Sequence, residues 1–176
     1  MLRIRPARPA DLPALREVFA AAKAIMRADG NPTQWAGAYP DDAAVLRDIA
    51  GGWGHVLLAD GDRTAGYFAL IPSPEPTYAR IEEGAWTDDT LPYSVIHRIA
   101  SVPEVHGIFD AVIAFASARC RNLRIDTHRD NKIMRHNIAK HGFRYCGVIR
   151  LADGSPRLAY QRILPEDPQF PIHQIQ

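Results

Sequence analysis

The chain has 176 residues, of which 47% are hydrophobic and 23% charged, and its formal net charge is +1 at pH 7. This length and composition suit one globular domain, and the near-neutral charge argues against a general affinity for nucleic acid or membrane surfaces. No apolar run approaches the roughly 20 residues that span a bilayer, and residues 1–9 carry arginines where a secretion signal would be apolar. With only Cys120 and Cys146 present, we expect unpaired thiols packed as small core residues in a cytoplasmic protein.

The first half of the chain predicts a strand, two helices and a pair of strands. Apolar residues after Asp11, which can serve as an N-cap, recur at the spacing of one buried helical face until Gly30. After a second, weaker helix the pattern changes to that of two strands joined by a turn at Gly61 and Asp62. In chain order, these elements cover 2–5, 12–29, 41–50, 55–59 and 64–71.

The second half predicts a strand, a crossover helix, a second strand, another helix and a terminal hairpin. A strand–loop–helix–strand unit is a crossover, so strands 94–101 and 123–127 should be parallel. The later helix is capped by Asp130 or Asn131 and ends before Gly142, and Asp153 and Gly154 mark the hairpin turn. In chain order, these elements cover 94–101, 108–119, 123–127, 131–141, 143–151 and 157–163.

This order predicts an α/β fold with a mixed, mostly antiparallel sheet, one parallel crossover pair and helices on both faces. We expect a single domain over residues 1–164. The Pro-rich, polar segment 165–176 is expected to be a peripheral tail.

One junction has the features of an anion site. The strand that carries His97 ends, a loop follows, and a helix begins at Gly107. The first N–H groups of a helix lack internal partners and, together with the helix dipole, attract anions such as a pyrophosphate. One glycine before a helix is common, so this junction alone does not identify a ligand.

Two stretches around this junction resemble the GNAT superfamily of N-acetyltransferases: HRIASVPEVHGIFDAVIAFA from residue 97 and LRIDTHRDNKIMRHNIAKHGFRYCGVI from residue 123. The resemblance extends over nearly the whole chain, and it implies the matching fold and acetyl-CoA as co-substrate. It implies that the strand edge Ile99, Ala100 and Ser101 binds the pantetheine arm and that Asn131 contacts the cofactor. The pyrophosphate loop implied by the resemblance consists of Glu104, Val105, His106, Gly107, Ile108 and Phe109.

The sequence departs from the family pattern at two places. The family loop begins with Arg or Gln and ends with Gly or Ala, whereas this chain has Glu104 and Phe109, followed by Asp110. Carboxylates here are expected to repel a pyrophosphate. Many family members also carry a helix Tyr that protonates the departing thiolate, but the matching positions here are Asn137 or Ile138. The general acid is therefore open between Tyr145, a water molecule and none.

The chemistry implied by the family is direct attack of an amine on the thioester, which requires a base to remove the amine's proton. Histidine has a suitable pKa. We predict His97 as this base because it lies two residues before the pantetheine-binding edge, with Glu82 and Glu83 as alternatives.

Three aromatic residues, Trp35, Trp86 and Tyr93, are predicted to line the acceptor site. The alternative is that they cap the hydrophobic core. The histidines show no arrangement typical of metal ligands, so we predict no metal site.

The sequence thus leads to two hypotheses. The first is an acetyl-CoA-dependent N-acetyltransferase acting on a small-molecule amine, with no nucleic acid or membrane partner. The second is a GNAT-shaped acyl-CoA-binding or regulatory module without turnover, motivated by the altered loop and the missing tyrosine. An exposed edge strand in such a fold often pairs between subunits, which allows a homodimer.

Overall fold

The fold is given by a computed structural model that describes residues 2–165. The strands are β1 (Arg3–Pro6), β2 (Gly54–Leu58), β3 (Thr64–Pro72), β4 (Ser94–Ser101), β5 (Asn122–Thr127), β6 (Arg144–Arg150) and β7 (Pro156–Ile163). The α-helices are α1 (Leu12–Ala28), α2 (Asp42–Ala50), α3 (Ile108–Ser117) and α4 (Lys132–Lys140). Within this part of the chain, no helix is both long enough and apolar enough to cross a membrane.

All seven strands form one sheet in the order β1-β2-β3-β4-β5-β7-β6. Only β4 and β5, which are joined through α3, pair in parallel; the other neighbours are antiparallel. One face packs against α3 and α4, and the other against α1 and α2. The predicted fold class is confirmed. The predicted tail, 165–176, lies outside the described residues apart from its first residue, and the domain boundary at 164 stays a prediction.

Two helix starts differ in how their N–H groups are satisfied. Asn131, not Asp130, caps α4, since its Oδ1 accepts from the N–H of Met134 at 3.0 Å. Asp11 makes no such bond to α1. Its carboxylate instead accepts from the N–H of Arg8 at 2.8 Å and from the guanidinium of Arg5, because a single 3₁₀ turn precedes the helix.

The sheet opens in its middle. Pairing between β4 and β5 ends at Ile96 and Ile125, although β4 continues for five more residues to Ser101. Beyond this point the two strands diverge, and the β4 edge that faces β5 is no longer paired with it by backbone hydrogen bonds. A parallel pair that parts in this way leaves a cleft between two otherwise buried strands.

A bulge in β4 lies immediately after this point. The register with β3 shifts between Tyr67, which faces Ala100, and Ala69, which faces His97, so β4 has one extra residue. Within the bulge, Arg98 has a φ of +57°, in the left-handed region that favours glycine. A non-glycine residue held there costs on the order of 1–3 kcal/mol unless its surroundings fix it.

Those surroundings are a buried ion pair with Asp48 of α2. The Arg98 guanidinium binds both carboxylate oxygens, with Nε 2.8 Å from Oδ2, and its Nη1 donates to the hydroxyl of Tyr39 at 3.0 Å. Tyr67 donates to Asp48 Oδ2 at 2.7 Å. Although burial disfavours the charged guanidinium, its bonds to Asp48 raise the pKa of Arg98, so it stays charged. The pair therefore fixes both the bulge and the position of α2.

We predict that Asp48→Asn lowers the free energy of unfolding by about 3 kcal/mol, because it leaves the largely buried Arg98 without its counter-charge. Chemical denaturation measures this. Asp42→Asn is the matched control, since Asp42 lies on the same helix but pairs with Arg16 at the surface. Little change is expected there. An equal loss of unfolding free energy in Asp48→Asn and Asp42→Asn would contradict a special role for the Asp48–Arg98 pair.

Candidate functional site

A cleft of about 510 Å³ lies where β4 leaves β5. Its walls are segments 99–103 and 105–110, the C-terminal half of α1 with the loop to Trp35, and the start of α4 from Asn131. The cleft thus brings together the predicted edge strand, most of the predicted loop and Asn131.

The free edge of β4 supplies open backbone groups to this cleft. The N–H of Val102 donates to the carbonyl of Ala65 on the β3 side at 3.0 Å, and Ser101 lies opposite Gly66. Since backbone groups alternate along a strand, the N–H and C=O of Ser101 point the other way, toward the open side. An extended ligand with amide groups can hydrogen-bond to this edge.

The N-terminus of α3 adds a site for negative charge. Gly107 occupies the N-cap position with a φ of +78°, and no side chain caps the helix. The first-turn N–H groups of α3 therefore border the cleft without a side-chain partner, where the helix dipole favours an anion.

The unusual residues of the predicted loop are directed elsewhere or paired. Glu104 is not among the cleft-lining residues, and its Oε1 lies 3.4 Å from Nη1 of Arg63. Asp110 Oδ1 is 2.7 Å from Nε2 of His141, and the buried Phe109 packs its ring 4.9 Å from the same imidazole. Both carboxylates expected to repel an anion thus have a partner.

His97 lies where the strands part, between two carboxylates. Its Nε2 is 3.8 Å from Oε1 of Glu75, and its Nδ1 is 3.8 Å from Oδ1 of Asp126. Tyr78 donates its hydroxyl to the same Asp126 oxygen at 2.6 Å, and its ring meets the imidazole edge-on. His97 does not line the cleft itself, but it lies two residues from Ile99, which does.

Two groups beside the imidazole have shifted pKa values, the carboxyl of Glu75 and the hydroxyl of Tyr78. Burial works against ionisation of Glu75, yet hydrogen bonding and charge interaction with His97 outweigh it, and the pKa of Glu75 is lowered. Burial, followed by the charge of Asp126, raises the pKa of Tyr78 well above its usual value, so this hydroxyl stays protonated.

The other predicted catalytic residues lie elsewhere. Tyr145 is on the edge strand β6, separated from β5 by β7, with 53% of its surface exposed. The structure does not bring it to the cleft. Glu82 accepts a hydrogen bond from Nε of Arg150 at 3.0 Å, and its backbone pairs with Val148 of β6.

The three predicted acceptor-site aromatics do not come together. Trp35 lines the cleft. Trp86 and Tyr93 instead enclose the guanidinium of the fully buried Arg124, whose Cζ lies 4.0 Å and 3.8 Å from the two ring centroids. For Trp86 and Tyr93 this geometry fits the core-capping alternative.

Sequence reasoning missed Glu75, Asp126 and the Asp48–Arg98 pair. Glu75 and Asp126 lie beside His97, and Asp48 pairs with Arg98. The residues of each pair are far apart in the chain, so no local sequence pattern predicts these contacts. In residues 2–165, no group of three or more His, Cys, Asp and Glu side chains is arranged to hold a metal ion.

Comparison with solved structures finds the same architecture in acetyltransferases. A GNAT-family acetyltransferase from Streptococcus agalactiae is 32% identical, with 94% of this chain and 96% of that chain covered and a TM-score of 0.82. A GNAT-family acetyltransferase from Listeria monocytogenes is 20% identical, with 93% and 95% covered and a TM-score of 0.67. A GNAT superfamily phosphinothricin acetyltransferase from Sinorhizobium meliloti, in complex with AcCoA, is 17% identical, with 99% and 94% covered and a TM-score of 0.62. No protein-family model matches the chain, and a search of curated proteins finds no match.

The lowered pKa of Glu75 gives a pH-dependent prediction. A carboxyl whose pKa is lower in the folded state stabilises the protein above its unfolded pKa, about 4.3, and loses that contribution as the pH falls through its folded value. Glu75→Gln should therefore be less stable than the parent at pH 7, with a difference that shrinks below about pH 4.

Denaturant titrations at pH 7 and pH 3 measure this difference. Glu17→Gln, at an exposed position of α1, is the control for the loss of a carboxylate. A gap between Glu75→Gln and the parent that persists unchanged at pH 3 would argue against the His97–Glu75 interaction.

Proposed function

Because this chain belongs to the GNAT family of acetyltransferases, we propose that it transfers an acetyl group from acetyl-CoA to the amine of a small acceptor. One observation carries the proposal: the open edge of β4 and the N-terminus of α3, which no side chain caps, are joined by the short loop 102–107 and border the same cleft. An extended amide chain and a pyrophosphate, joined in one molecule, match these two adjacent features.

The residues present fit such a molecule. The first-turn N–H groups after Gly107 would hold the pyrophosphate, and the open backbone groups of Ser101 would hold the amides of the pantetheine arm. Asn131 borders the same cleft, with its Oδ1 committed to capping α4. Glu104 does not line the cleft and lies beside Arg63, and Asp110 pairs with His141, which lessens the electrostatic objection to an anion here.

His97 is the residue we propose as general base. A protonated amine has no free electron pair, so its proton must leave before it can attack the thioester. His97 would take this proton, and Glu75 and Asp126 on either side would stabilise the imidazolium. An open backbone N–H of the β4 edge would meet the negative charge that develops on the thioester oxygen. We propose no protein side chain as the general acid.

Backbone binding along the β4 edge can be tested with proline. Ser101→Pro removes an N–H that points to the open side and leaves the ladder to β3 in place, so we expect acetyl-CoA to bind about three- to tenfold more weakly, the value of one hydrogen bond. Ser101→Ala, which keeps the N–H, should bind like the parent. Calorimetry measures both. Equal affinity in all three proteins would contradict pantetheine binding at this edge.

The proposed role of His97 as general base can be tested with the substitution His97→Gln. We expect kcat to fall by about 10²–10⁴-fold with a panel of small primary amines, and the dissociation constant of acetyl-CoA to stay unchanged. Release of free CoA thiol measures turnover, and the exposed His136→Gln is the control.

Two other results would count against these assignments. An unchanged kcat in His97→Gln would remove His97 from the chemistry. Tight acetyl-CoA binding by the parent without turnover of any amine would favour the alternative, a binding module.

A further inference from the structure

Asp110 is the third residue of α3, in the first turn of the helix, and it borders the cleft. The first hydrogen bond inside this helix is donated by the N–H of Ala111 to the carbonyl of Gly107 at 3.0 Å. The N–H groups of the three residues before Ala111 therefore have no partner within the helix. These are the groups to which the proposed function assigns the pyrophosphate.

A carboxylate at this position would ordinarily satisfy such groups itself. The positive end of the helix dipole attracts it, and an acidic side chain at the third helical position can turn back to accept from the backbone at the helix start. The side chain of Asp110 is 61% exposed, so packing does not prevent this movement. In the structure, however, no side chain caps α3.

The carboxylate is held instead by His141, which follows α4. Its Nε2 lies 2.7 Å from Oδ1 of Asp110, and its Nδ1 lies 2.8 Å from the carbonyl of Asn137. Both oxygens are acceptors, so the ring meets both fully only with a proton on each nitrogen. The ring of Phe109 packs against the imidazole, with 4.9 Å between the ring centroids. The imidazole is thus fixed between α4 and α3, where it binds the carboxylate.

We propose that His141 is a positioning residue of the cofactor site: by binding Asp110, it keeps this carboxylate from capping α3 and leaves the first-turn N–H groups open for an anion. The anion is the pyrophosphate of acetyl-CoA, so this proposal rests on the proposed function. Without the imidazole, Asp110 competes with the cofactor, because both need the same donors. His141 is not among the cleft-lining residues, and it therefore acts through Asp110 rather than by contact with a ligand.

A merely structural role for His141 makes a different prediction. In that case the ring would only pack against Phe109 and complete the end of α4, and its substitution would have the same effect whether or not Asp110 is present. In the proposed role, the effect of substituting His141 disappears once the carboxylate of Asp110 is removed. A double substitution therefore distinguishes the two roles.

Amide hydrogen exchange of the ligand-free protein tests the proposal directly. His141→Phe keeps an aromatic ring against Phe109 but removes the donor to Asp110. The freed carboxylate should cap α3 and slow exchange of the first-turn N–H groups by about two- to thirtyfold, the value of one helix cap. In His141→Phe/Asp110→Ala no carboxylate remains, so exchange should match the parent. His136→Phe, at an exposed position of α4, is the matched control and should also match the parent.

Calorimetric titration with acetyl-CoA tests the consequence for the cofactor. We expect His141→Phe to bind acetyl-CoA about two- to thirtyfold more weakly than the parent, because the cofactor must displace the carboxylate. Asp110→Ala should bind at least as tightly as the parent. The double substitution should recover the affinity that His141→Phe loses.

Two results would overturn the proposal. One is unchanged exchange at the start of α3 in His141→Phe, or in His141→Ala if the phenyl ring does not fit there. The other is a loss of acetyl-CoA affinity that persists in the double substitution, since His141 would then act by packing. If the parent protein does not bind acetyl-CoA, the proposed function fails, while the exchange measurement still decides whether His141 keeps α3 uncapped.

Discussion

The parting of β4 from β5 is the constraint on which the site depends. Parallel strands in the middle of a sheet normally stay paired, because each unpaired backbone group in the interior carries a free-energy penalty. Here the pairing ends at Ile96, and the strand that continues has a left-handed residue two positions later. The ion pair between Arg98 and Asp48 offsets the cost of that conformation. An ion pair between β4 and α2 thereby determines the course of the strand edge that borders the cleft.

The same divergence of β4 from β5 places backbone groups, a helix N-terminus and a histidine close to one another. The cleft beyond Ile96 exposes backbone donors and acceptors and the start of α3, which suit an extended anionic molecule. His97, at the point of divergence, lies between Glu75 of the β3–β4 loop and Asp126 of β5. Under the proposed function, the reactive end of the acyl donor would therefore lie close to His97, two residues from the cleft-lining Ile99. Neither feature would exist if β4 and β5 stayed paired along their whole length.

The sequence predicted the elements well and their long-range contacts poorly. Local periodicity placed β4 at 94–101 as the structure has it, and the crossover rule gave its parallel pairing with β5. The aromatic residues predicted at the acceptor site show where prediction from the sequence fails. Trp86 and Tyr93 contact Arg124 instead of the cleft, and the burial of Arg124 cannot be inferred from a strand that alternates apolar and charged residues. The buried guanidinium of Arg124 lies between two aromatic rings, and this contact appears only in three dimensions.

The altered loop illustrates the same point for charge. Glu104 and Asp110 look incompatible with an anion when the residues are compared position by position. In the fold, Arg63 from the β2–β3 turn and His141 after α4 lie beside them, and neither partner belongs to the loop. A net charge of +1 for the whole chain is equally uninformative, because it does not reveal that the N-terminus of α3, which favours an anion, borders the cleft.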